Sequence, residues 1–77
     1  MNLYIYEGKR VVITDVDGVT HTGLLEFYTS ELDDPNGIAS ISLAPDNRSD
    51  ILINFEESEI ARIECLSVPS RELAIAV

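Results

Sequence analysis

Apolar and polar positions alternate along most of this chain, the two-residue period of strands that bury one face. In "MNLYIYEG" Leu3 and Ile5 oppose Tyr4 and Tyr6, which predicts a short opening strand. "KRVVITDV" is rich in β-branched residues and runs into Asp17-Gly18. That dipeptide is a strong hairpin signal, because both residues tolerate positive φ. "VTHTGLLEFYTSEL" then predicts a long second strand with Gly23 inside it. A glycine within a strand marks a bulge or a sharp bend.

The same period continues after the turn residues "DDPNG" at 33–37. In "IASISLA" Ile41 and Leu43 fall on the buried face, with Ser40 and Ser42 on the wet one. A second polar turn, "PDNRSD", leads to "ILINF", where Ile51, Ile53 and Phe55 share a side. "EESE" is a tight acidic connection, and "IARIECLSV" is the last clear strand, with Cys65 read as a small buried hydrophobe. The tail "SRELAIAV" fits two structures. Ser70 can cap a short helix, and Leu73, Ile75 and Val77 also alternate like a strand. Five or six short strands in hairpin order predict an all-β fold: a small, strongly bent antiparallel barrel of the SH3-like kind, with five core strands.

Composition narrows the setting. A chain of 77 residues makes one domain, and a domain of that size buries only about 60% of its unfolded surface. A lone cysteine excludes an internal disulfide, and no dense His/Cys cluster offers structural zinc, so assembly is the remaining route to further burial. Fourteen acids against five bases give a net charge of −9, which opposes any general electrostatic grip on nucleic acid. No run approaches the ~20 apolar residues of a membrane span, and "MNLYIYEGKR" lacks the apolar centre of a signal peptide. A soluble, cytoplasmic protein that needs no cofactor is expected.

One stretch carries an apparent catalytic motif. Asp15-x-Asp17-Gly18 after an apolar run resembles the nucleophile motif of haloacid dehalogenase-like phosphatases. That chemistry needs a parallel strand, a following helix, a metal and a cation for phosphate. Here Val-Thr-His-Thr-Gly follows, a strand and not a helix start, and the chain is too short for the required sheet. The spacing also fails the EF-hand pattern. A non-enzymatic role is therefore expected, with Asp17-Gly18 as a turn.

Read as strand, turn and strand, "GKRVVITDVDGVTHTGLL" resembles the first segment of Sm/LSm proteins through Gly8, Lys9, Val11, Ile13, Gly18, Gly23 and Leu25. Tyr28 follows at the usual aromatic place. "ILINFEESEIARIE" is similar to the second segment through Ile51, Ile53, Phe55, Ile60 and Ile63. The likeness covers residues 8–66 of a single domain, 1–77, and leaves 67–77 as a tail. It implies a bent five-stranded barrel whose fourth strand pairs with the fifth strand of a neighbour. Such pairing closes a homo-oligomeric ring of about five to seven subunits. Residues 50–56 and 60–67 would form the contact, through Ile51, Ile53, Phe55, Ile60, Arg62, Ile63 and Cys65.

The resemblance also implies a single-stranded RNA site around the ring hole, built from Tyr28, Thr29, Asp33 or Asn36, Glu56 and Glu57. Three features depart from the family. Glu56-Glu57 stands where Arg-Gly or Lys-Gly is usual, Thr29 stands where Asp is usual, and "LDDPNG" blurs the Asn position. Asp15 and His21 also stand where the family has inward apolar residues; they are either both solvated at a hairpin tip or paired across it. Two functions follow: a ring-forming scaffold with an altered RNA site, or a structural adaptor that binds protein partners and is encoded by a virus or mobile element.

Overall fold

A computed structural model describes residues 1–66. The tail, whose helix-or-strand reading was open, lies outside the described residues. Among these residues five strands form one antiparallel sheet: β1 (Arg10–Asp15), β2 (Thr20–Thr29), β3 (Ser40–Pro45), β4 (Ile53–Glu56) and β5 (Ile60–Cys65). Their order across the sheet is β4-β3-β2-β1-β5. The sheet is strongly curled, and it is not a closed barrel. Its rims are β4 and β5, joined by a 3-10 turn at Glu57–Glu59.

The alternation read from the sequence sets the core. Val11, Ile13, Leu25, Ile41, Leu43, Phe55 and Ile60 point to the concave face and are buried together. Gly23 is buried in β2 opposite Pro45 with no positive φ, and its role is close approach. A Cβ there would overlap the Ala44 carbonyl oxygen and sit 2.8 Å from Pro45 Cα. The bulge expected near Gly23 falls instead at Glu26, where the β2–β3 register shifts between Leu25 and Phe27.

The expected opening strand is absent. Leu3–Tyr6 forms a 3-10 turn. β1 already has β2 and β5 on its two sides, so no edge beside it is free for a further strand. The turn instead drops Leu3 into the core at 1% exposure and sets Tyr4 against Tyr28, with ring centroids 6.2 Å apart. Cys65 also departs from expectation. Its side chain has the parity of the concave face, yet it is exposed, because among the described residues no further strand covers the β5 rim.

Candidate functional site

The β1–β2 connection is built on one carboxylate. Asp15 Oδ1 accepts the backbone N–H groups of Asp17 (2.9 Å) and Val19 (3.0 Å). Gly18 N–H donates to the Asp15 carbonyl, and Gly18 alone in the turn has positive φ, at 85°. The loop is thus Val16-Asp17-Gly18, a turn followed by a left-handed glycine, and not a two-residue Asp17-Gly18 turn. It leads into β2 and not into a helix, so the setting of the phosphatase motif is missing. Both carboxylate oxygens of Asp15 are engaged in holding the loop and its neighbour.

That neighbour is His21. Its Nε2 lies 2.9 Å from Asp15 Oδ2, and its ring meets Phe55 edge-on with centroids 5.0 Å apart. Of the two arrangements open for Asp15 and His21, the paired one forms. Both side chains face the concave side because Asp15 continues the row of Val11 and Ile13, and His21 stands opposite Ile13. The hydrogen bond from His21, aided by the backbone N–H groups, holds the Asp15 carboxyl below the usual carboxylate range. A carboxyl whose folded pKa is depressed adds stability above its unfolded value, near 3.9, and loses it as pH falls through the folded value. The gap in urea midpoint between wild type and Asp15→Asn should therefore narrow as pH falls from 5 toward about 2. A gap constant over that range would remove Asp15 from the acid limb.

Beside this pair, a recess of ≈ 270 Å³ opens between the hairpin tip and β4, with Asp15, Asp17 and Glu59 on its polar side and Ile53 and Phe55 on its apolar side. Val16 N–H donates to the Glu59 carbonyl at 3.1 Å and pins the tip to the 3-10 turn. The backbone contacts of Asp15 lie outside the Asp17-Gly18 signal that marks the turn in the sequence. An Asp two residues before another turn residue was the available signal, since Asp side chains bond backbone two residues on.

The residues assigned to an RNA site divide into two groups. Thr29, Ser40 and Glu56 form one row across β2, β3 and β4. Glu57 N–H donates to the Ala39 carbonyl, which brings the acidic turn beside the end of the β2–β3 loop. Glu56 and Glu59 cap that turn reciprocally, with Glu56 N–H donating to Glu59 Oε1 at 2.8 Å. The Met1 ammonium sits 3.3 Å from Glu57. Tyr28, by contrast, is half-buried between the core and Tyr4, so it is committed to packing. Asp33 bonds Ser30, and Asn36 N–H donates to Asp34. Among the described residues no hydrogen bond links Asp33 or Asn36 to Glu56 or Glu57.

The residues assigned to assembly lie on the two rims in different roles. Phe55 and Ile60 are core, Ile53 and Ile63 are half-buried, and Ile51 and Cys65 are exposed. Arg62 is exposed on the convex side and bonds Glu64 at 2.8 Å. Both acids of the turn at 45–50 are paired with cations of the chain itself, Asp46 with Arg10 and Asp50 with Arg48. Among the described residues there is no group of three or more His, Cys, Asp or Glu side chains placed to hold a metal, and no helix long and apolar enough to cross a membrane.

Comparison with protein families, curated proteins and solved structures returned no match. The functional reading therefore rests on the residues and their geometry.

Proposed function

We propose that this chain is a non-enzymatic, Sm-like scaffold subunit that assembles head to tail into a closed homo-oligomeric ring. The observation that carries the reading is the strand order, which among the described residues leaves β4 and β5 as two different open rims of one curled sheet. Open rims are rows of unpaired backbone groups that call for a partner. Because the two rims differ, a copy can use one for the preceding neighbour and the other for the next, which is the heterologous contact that generates rings. Some exposed apolar side chains flank the rim strands: Ile51 and Leu52 before β4, and Leu66 after β5.

In such a ring Glu56, Glu57 and Glu59 recur once per subunit and make an acidic collar. The collar disfavours phosphate, and the family's RNA cation is replaced by carboxylate. The partner that suits this surface is a protein with basic groups. Light scattering should give a native mass of about five to seven subunits, and titration with oligo-uridine at low salt should give no binding. A persistent monomer of 8.5 kDa would overturn the ring. Salt-sensitive oligo-uridine binding would restore RNA as the ligand and overturn the assignment of the collar. The exposed β5 rim supports a second reading, a monomeric adaptor that adds a partner's strand, and the monomer result would favour it.

A further inference from the structure

The backbone hydrogen bonds already made say which groups are left over at each rim. In an antiparallel ladder, residues alternate between pointing their N–H and C=O toward one neighbour and toward the other. Glu57 N–H bonds the Ala39 carbonyl while Ser40 stands opposite Glu56, so Ser40 and Glu56 are a non-bonded pair. Glu56 and Asn54 therefore aim their backbone groups away from β3, outward. At the other rim, Leu66 N–H bonds the Arg10 carbonyl while Val11 stands opposite Cys65. Cys65 and Ile63 accordingly aim their backbone groups away from β1, also outward.

An antiparallel seam, the more stable of the two pairings, must set outward residues against outward residues. Two registers keep most of β4 paired. One sets Asn54 opposite the partner's Cys65, and it needs Glu56 to exchange two bonds with the partner's Ile63. That is blocked, because Glu56 N–H is already given to Glu59 Oε1. The other sets Asn54 opposite the partner's Ile63. Glu56 then meets the partner's Ala61, the extra residue at the β1–β5 register shift, so pairing ends on both strands together.

We infer that β4 of one subunit joins β5 of a second copy in this latter register, with Leu52 opposite the partner's Cys65 and Asn54 opposite the partner's Ile63. The inference rests on the ring reading and adds the alignment of its seam. Side chains agree with the backbone. Ile51 falls opposite the partner's Leu66, at 37% and 36% exposure in one subunit, so two exposed apolar residues cover each other. Leu52, 52% exposed, covers the exposed thiol. Charge does not oppose this register. No like charges stand directly opposite.

The native thiol supplies the test. Facing residues in a hydrogen-bonded antiparallel pair have Cα atoms about 5.5 Å apart, within the range of a disulfide. Leu52→Cys and Asn54→Cys both alter exposed positions, so each leaves the core intact. Under mild oxidation of the assembled protein, Leu52→Cys should form a covalent ladder ending at the ring mass, about tenfold faster than Asn54→Cys. Faster linkage by Asn54→Cys would overturn the register while leaving the seam. A ring by light scattering with no linkage in either variant would overturn the β4–β5 seam. A monomeric mass for the parent chain would sink the ring reading itself.

Discussion

Gly23→Ala should cost this domain about 3 kcal/mol or more, the upper end of what overpacking a filled interior costs. The added methyl meets backbone, not a flexible side chain: the Ala44 carbonyl and Pro45 Cα. Relief requires β3 to move away from β2, and β3 also carries Ile41 and Leu43, two of the most buried core residues. A native domain holds only about 5–15 kcal/mol in total, so the variant should lose a large share of its stability. Gly18→Ala makes the contrast. At Gly18 nothing lies within 4 Å, but φ is +85°. Only the left-handed conformation is penalised there, at about 1–2 kcal/mol. Urea unfolding of both variants separates the two causes. If Gly23→Ala proves no worse than Gly18→Ala, close approach of β2 and β3 is not what Gly23 provides.

The strands that position the core were legible because their periodicity is set by burial on one side. Val11 and Ile13 in β1 and Ile41 and Leu43 in β3 are buried as expected, but Ser40, expected on the wet face, is buried too, flanked by Thr29 of β2 and Glu56 of β4. The N-terminus misled for a reason of length. Over four residues Leu3–Tyr6 reads as alternation, but a 3-10 turn also puts positions three apart on one side, and Leu3 and Tyr6 both meet the core. The position of the first hairpin was legible from Gly18. Its chemistry was not, because the carboxylate that organises it precedes the turn. Cys65 shows the remaining limit. Its parity could be read, but its exposure follows from β5 being a rim, and strand order is a non-local property. The proposed alignment of Asn54 with a neighbour's Ile63 is further still from the sequence, since it depends on which backbone groups β1 and β3 have already used.

Phe55→Ala should cost about 3–5 kcal/mol, the usual loss on truncating a buried aromatic ring. Phe55 is 6% exposed and is the one residue of four-residue β4 that is fully in the core. It stands opposite Ile41, and its ring also meets His21 edge-on, so it joins the β4 rim to the Asp15–His21 pair. Truncation therefore acts twice. It opens a cavity beside Ile41, and it loosens the rim that offers Asn54 to a neighbour in the proposed ring. Phe55→Leu keeps most of the apolar volume and loses the ring edge, so it should cost roughly 1–2 kcal/mol and retain assembly. Urea unfolding with light scattering at matched concentration reads both effects. Loss of assembly in Phe55→Ala, at temperatures where the subunit stays folded, ties the seam to the packing of β4. A loss below about 1 kcal/mol would mean that β4 is held by its backbone pairing with β3 and not by this side chain.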